Sequence, residues 1–183
     1  MSKTKIRLAM GLKQLILVKD FKKITVQDIV ERSNLTRQTF YYYFQDIYET
    51  LEWLCVYELM QELDEENKEP LEEWLFGVVK YMSTNGAFYR RLIGEVNWGT
   101  LEAILRPIIR DKVSEAFLTS QPQRFSLEDG EVCQDFMVEF FSSSFVNYMF
   151  IWISKSKPES EEVMMKQIRY LLTCLRTSDT VNV

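Results

Sequence analysis

The sequence contains no histidine. That absence excludes Ser-His-Asp and Cys-His chemistry, the helical HExxH zinc site and the Glu-x-x-His ligand pairs of di-iron bundles. The three cysteines, Cys55, Cys133 and Cys174, are odd in number, far apart and without a CxxC pair. A reduced, cytoplasmic setting follows most simply. No glycine-rich phosphate loop is present. A signal peptide is not expected in MSKTKIRLAMGLKQLI, because charge interrupts it throughout. Six glycines and four prolines in 183 residues leave few turns. Long elements are therefore expected, and helices over a many-stranded sandwich. With no catalytic constellation in view, the chain is not expected to be an enzyme, nor to need a cofactor or metal ion.

What is present is distributed unevenly. The net charge of −5 argues at first against a nucleic-acid partner. Residues 1–45, however, hold nine Lys and Arg against three Asp and Glu, whereas residues 46–183 hold thirteen against twenty-four. A basic head on an acidic body is the asymmetry expected when one end meets phosphate.

The head carries helical grammar. Ile6, Ala9, Met10, Leu12, Leu15 and Ile16 recur at helical spacing over residues 4–19. After the polar VKDFKK, Thr25 suits an N-cap with Asp28 three residues on, and Ile24 with Ile29 forms a candidate hydrophobic staple. That helix should end near Ser33. The pattern then repeats, with Leu35, the cap Thr36 and the staple partner Phe40. Two capped helices so close together leave a tight turn at Ser33-Asn34-Leu35. Asn34 is the residue best able to take the left-handed conformation there. The result is a helix-turn-helix.

The stretch RQTFYYYF, residues 37–44, then acquires a geometry. At about 100° per residue, Phe40 and Phe44 face inward with Ile47 nearby, Gln38 and Tyr42 face outward, and Thr39 and Tyr41 flank them. Tyr43 lies nearer the core edge, and Arg37 lies to one side. An amide, a hydroxyl, phenols and a guanidinium are the groups that bond base edges and phosphates in a major groove.

The body reads as longer helices: one from about Asp46 to Glu66, then 70–84, a short one over AFYRRLIGEV, and 98–118 with Pro107 expected to kink it. The acidic run Glu62, Asp64, Glu65, Glu66 and Glu69 suits a solvated helix end better than a metal site. SQPQRFSLEDG, 120–130, reads as a loop. Residues 131–154 are apolar around nearly the whole circumference, but Glu139, Asn147 and three serines count against a membrane span. Burial on two sides, by its own domain and by a second subunit, fits that helix better. A last helix from about Pro158 carries Glu159, Glu161 and Glu162 in its first turn and Met164, Ile168, Leu171, Leu172 and Leu175 as its stripe.

With these residues in view, ITVQDIVERSNLTRQTFYYYFQDIYETLEWL resembles the helix-turn-helix of the TetR family of transcription regulators. The match lies at Ile24, Ile29, Leu35, Thr36, Thr39, Phe40, Tyr41 and Phe44. In the family's pattern, the tyrosine at the position of Tyr41 commonly reaches a backbone phosphate. Its base-reading and backbone-contacting positions correspond to Gln27, Arg37, Gln38, Thr39, Tyr42 and Tyr43. Asn34 stands where a turn glycine is usual, Tyr43 where many members carry histidine, and Ile47 where a phosphate-binding lysine is common. RQTFYYYFQDIYETLEWL and NGAFYRRLI are further similar to the DhaS-type branch.

The resemblance implies an all-α fold of about nine helices, with a three-helix DNA-binding domain at 1–48 and a helical ligand-binding and dimerisation domain at 49–183. It implies a homodimer through the last two helices, about 131–154 and 158–176, on a pseudo-palindromic double-stranded DNA operator. Lys3, Lys5, Arg7, Lys22 and Lys23 would add sequence-independent phosphate attraction. Control would come from a small-molecule or protein effector, with Trp53, Tyr57, Trp74, Phe88, Tyr89, Trp98 and Phe136 as candidates for lining an apolar cavity. The rival reading is a helical protein-interaction module whose helix-turn-helix no longer binds DNA.

Overall fold

The computed structural model describes residues 2–63, 70–120 and 130–177. Among these residues there are nine α-helices, one 3-10 turn and no strand. The expected acidic helix end after Glu62, most of the 120–130 loop and the last six residues lie outside the described residues.

The head comprises α1 (Lys3–Ile16), a 3-10 turn (Phe21–Lys23), α2 (Val26–Arg32) and α3 (Arg37–Tyr43). Leu8, Ala9, Leu12 and Ile16 of α1 are buried against a core that includes Ile29, Val30, Phe40 and Phe44. The first helix stops at Ile16 rather than running to residue 19. Leu17 and Val18 are exposed, and the chain turns there so that Phe21 enters the core. The two helices α1 and α2 meet at Gly11. A Cβ added at Gly11 would stand 2.3 Å from Ser33 Oγ and 3.3 Å from the Ile29 carbonyl oxygen.

Helix α4 (Ile47–Glu62) joins head to body. Asp46 caps it, accepting the Glu49 N–H at 2.8 Å. It buries Leu51, Leu54, Cys55 and Leu59 and packs against α1 on the head and α7 and α5 in the body. The body continues with α5 (Leu71–Thr84), α6 (Gly86–Glu95), α7 (Trp98–Ser120), α8 (Gly130–Ser154) and α9 (Glu161–Thr177). Helix α7 runs through Pro107 without ending there. Helix α6 also reaches the head, where the Glu95 carboxylate accepts the Phe21 N–H.

The polar residues of α8 explain why it belongs inside a fold. Glu139 accepts Arg106 Nη1 at 2.6 Å and Arg110 Nε at 2.5 Å from α7, and Arg110 holds its carboxyl below the usual range. Asn147 Oδ1 accepts Trp98 Nε1 at 2.6 Å. Buried Ser142 donates to the Val138 carbonyl at 2.6 Å. The stretch Gln134–Ser154 is long and apolar enough to cross a membrane, yet half of it is buried within this chain alone.

Helix α9 begins at Glu161, not Pro158. Glu159 is instead held in the connection, its carbonyl accepting Trp152 Nε1 at 2.9 Å and its carboxylate pairing with Lys155 at 2.8 Å. Met164, Ile168 and Leu172 of the expected stripe are buried, whereas Leu171 is exposed.

Candidate nucleic-acid interface

Both helices of the head motif are closed by side chains, as their threonines dictate. Thr25 accepts the Asp28 N–H at 3.2 Å, and the Asp28 carboxylate accepts the Thr25 N–H at 2.7 Å. This reciprocal box satisfies two otherwise unpaired donors of α2. Lys19 adds an ion pair to Asp28 at 2.7 Å. The Lys19 hydrogen bond, with those from Thr25, brings the Asp28 carboxyl down to about 2. Asn34 then takes φ 50°, the left-handed conformation that an asparagine tolerates. Thr36 caps α3 by accepting the Thr39 N–H at 3.1 Å.

The tyrosine triplet divides as the helical period requires. Phe40 is fully buried, Tyr41 is 60% exposed and Tyr42 is 80% exposed. Tyr43 is half-buried, with its ring edge-on to Tyr42 and its hydroxyl 2.8 Å from Ser2 Oγ on the segment leading into α1. Phe44 is also buried, but not as part of the helix. It is the C-cap of α3, in extended backbone (φ −141°, ψ 142°), and the departing chain turns it inward. Arg37 and Gln38 are exposed, and Thr39 is half-buried, its hydroxyl 2.9 Å from that of Thr36. Gln27, exposed on α2, meets Arg37 across the turn: Arg37 Nε donates to Gln27 Oε1 at 2.8 Å.

The basic flank is less free than a charge count suggests. Lys5 Nζ lies 5.0 Å from the Phe44 ring centroid and 4.9 Å from that of Trp53. Arg7 donates to the Ser33 carbonyl at 2.6 Å and so holds the turn. Lys23 pairs with Asp20 at 2.6 Å. Lys3 and Lys22 are exposed. Composition counts every cation alike, and only the packing shows which are engaged.

The seven candidate pocket residues are dispersed. Trp53 and Tyr57 stack on each other at 4.7 Å at the junction of head and body. Trp74, Phe88 and Tyr89 are buried. Trp98 is bonded to Asn147 and edge-on to Phe150, and Phe136 is 64% exposed. Only Tyr89 lines the central apolar cavity, together with Leu59, Val78, Tyr81, Met149 and Phe150 among others. That cavity holds about 10 Å³, room for about one water.

Sequence reasoning missed a polar cluster beside this cavity. Lys13 bonds Glu58 and Asn85, Tyr81 donates to Glu58 at 3.1 Å, and Tyr89 donates to Tyr81 at 3.3 Å. Burial raises the Tyr81 and Tyr89 phenols and pushes the Cys55 thiol up to about 12, so all three stay protonated. Tyr81, Asn85 and Tyr89 recur at helical spacing, but Lys13 and Glu58 lie far from them in sequence, and only the tertiary fold brings the three segments together.

Two capped helices crossing a left-handed turn, exposed hydrogen-bonding groups on the second and a helical body behind them define a DNA-binding transcription regulator. The comparisons agree. The profile of bacterial regulatory proteins of the TetR family matches residues 12–52, and a transcriptional regulator C-terminal region matches residues 69–174. The chain belongs to the TetR family, whose members are non-enzymatic DNA-binding regulators. Among solved structures, the dihydroxyacetone kinase operon activator DhaS superposes with a TM-score of 0.72 at 22% identity, covering 94% of this chain and 96% of its own. A TetR transcriptional regulator from Streptococcus agalactiae superposes with a TM-score of 0.62 at 21% identity, covering 93% of each chain. At those identities the likeness concerns the fold. No curated protein matches significantly.

Proposed function

We propose that this chain is a dimeric, effector-controlled regulator, cytoplasmic in location, with a DNA-binding head at 1–48 and a sensing and dimerising body at 49–183. The observation that carries the reading is α3 itself. A fully buried Phe40 anchors one side of a seven-residue helix while Arg37, Gln38, Tyr41 and Tyr42 stand in solvent on it. Two such helices, one turn of duplex apart, would enter successive major grooves of a pseudo-palindromic operator. Gln38 and Thr39 suit base edges, and Tyr41, Tyr42 and Tyr43 suit phosphates.

Helices α8 and α9 supply a face for the second subunit. Phe136, Phe140, Tyr148 and Ile151 are exposed along one stripe of α8, and Val163, Tyr170 and Leu171 along α9. The stripes adjoin where the Tyr148 hydroxyl meets Gln167 Oε1 at 3.2 Å. An apolar face of this extent calls for a partner.

The effector has two candidate classes. A small molecule, needing about 300 Å³ or more when drug-sized, would have to widen the central cavity or use the open groove of about 520 Å³ lined by Arg90, Trp152, Pro158 and Glu161. A protein effector would instead use the outer surface.

Mobility shift on the DNA upstream of the protein's own coding region, at several salt concentrations, tests the proposal. Affinity should fall steeply with salt. It should be lost in the double variant Arg37→Ala with Tyr42→Ala. Tight capture of a protein partner with no salt-sensitive DNA association would instead establish the interaction module.

A further inference from the structure

We propose that Arg37 reads a guanine in each operator half-site, and that Gln27 is its positioning residue rather than a base reader. This rests on the DNA-binding reading above and adds to it one base identity and a division of labour between two residues.

Three side chains form a string across the helix-turn-helix. Arg37 Nε donates to Gln27 Oε1 at 2.8 Å, and Gln27 Nε2 donates to Glu31 Oε1 at 2.6 Å. Gln27 and Glu31 are one turn apart on α2, on the same face. A carboxylate only accepts, so Glu31 fixes the sense of the amide: nitrogen toward Glu31, oxygen toward Arg37. Gln27 therefore spends one N–H and one acceptor site of its amide inside the protein, which turns the amide along the string and toward Arg37.

Arg37 is in the opposite condition. With Nε engaged, its two terminal nitrogens keep four N–H groups in the fixed plane of the guanidinium, two of them side by side at its outer end. In the major groove only guanine offers two neighbouring acceptors, O6 and N7, to such a fork. Adenine pairs an acceptor with a donor there, and thymine offers one acceptor and a methyl group. The free protein already holds the side chain in place, so less entropy is lost on binding.

Selection from a pool of randomised duplexes by the full-length protein tests this, with Arg37→Ala and Gln27→Met carried in parallel. Both positions are exposed, and an unchanged helical circular dichroism spectrum would establish that each variant folds. The unaltered chain should enrich sites with one G·C pair recurring symmetrically in the two halves. Arg37→Ala should lose that preference, by about tenfold or more, and keep the others. Gln27→Met, similar in length but without the acceptor, should weaken preference at the same pair and nowhere else. If Arg37→Ala weakens all sequences alike and flattens the salt dependence, Arg37 is a phosphate contact and the proposal is overturned. Relaxation of a different base pair by Gln27→Met makes Gln27 a reader and overturns it too. An unaltered chain that enriches no sequence and shows no salt-sensitive binding overturns the regulator reading itself, an outcome visible before any variant is compared.

Discussion

Lys13, on the first helix of the head, places its ammonium 2.7 Å from one oxygen of Glu58 on α4 and 2.8 Å from the other. A third bond, at 2.8 Å, reaches Asn85 Oδ1 at the junction of α5 and α6. One side chain thus ties the DNA-binding head to two elements of the body. Behind Glu58 stand Tyr81 and Tyr89, which line the central cavity.

Lys13→Met should therefore destabilise the chain. It leaves Glu58 mostly buried with Tyr81 as its remaining donor, the two side chains of the pair being only 19% and 11% exposed. Breaking a fully buried pair costs about 3–5 kcal/mol, and partial solvent access lowers the expectation to about 2 kcal/mol. The urea midpoint should fall with an unchanged slope. An unchanged midpoint would show that water replaces the ammonium at no cost.

Gly11→Ala should be costly for a different reason. The new methyl would overlap Ser33 Oγ, which is itself held by its bond to the Arg7 carbonyl at 3.0 Å, and would press on the Ile29 carbonyl oxygen. Either the Ser33 hydroxyl must give up that bond and rotate away, or helices α1 and α2 must move apart to admit it. Overpacking of this kind costs about 1–3 kcal/mol, outweighing the better helix propensity of alanine. Thermal unfolding followed at 222 nm should show a lower midpoint.

These two sites mark the limit of what the chain discloses by itself. The caps Thr25 and Thr36, the left-handed Asn34 and the inward Phe40 were legible because each depends on neighbours within four residues. The helix count was legible from periodicity and from the scarcity of turn residues. The Lys13–Glu58 pair, the Gly11 crossing and the Lys5 stack on Trp53 were not, because each joins segments whose approach only the tertiary fold fixes. The pocket candidates suffered from the same limit. Large aromatics mark core as readily as cavity, and their spacing does not say which of them face one another.

Acid should loosen the head through Asp28. Its carboxyl lies near 2 when folded, against 3.8 for the ordinary group. A depressed folded value means the stabilisation is complete above about pH 4 and is lost as pH falls toward about 2. Lys19 and Asp28 are both partly exposed, so screening reduces the contribution to about 1 kcal/mol. Asp28→Asn should remove this part of the acid dependence, and it should also weaken the capping box at neutral pH. Urea titrations of both proteins at pH 6 and pH 3 compare them directly. An equal loss of stability in both would assign the acid effect elsewhere.

Ile151→Glu should separate the subunits. Ile151 is 50% exposed in the single chain, so a glutamate there remains hydrated and the fold of one subunit is little affected. Within a dimer built on α8 and α9, the same carboxylate would be buried against its symmetry mate or against the apolar residues Phe140 and Tyr148. An uncompensated buried charge is strongly unfavourable, enough to shift a micromolar solution toward monomer. Sedimentation equilibrium should give twice the 21.8 kDa chain mass for the unaltered protein and a single chain mass for the variant. Operator affinity should fall with dimerisation, because one head then binds without the effective concentration that its twin provides. Persistence of the dimer in Ile151→Glu, alongside its loss in a variant of another surface, would move the interface away from these helices.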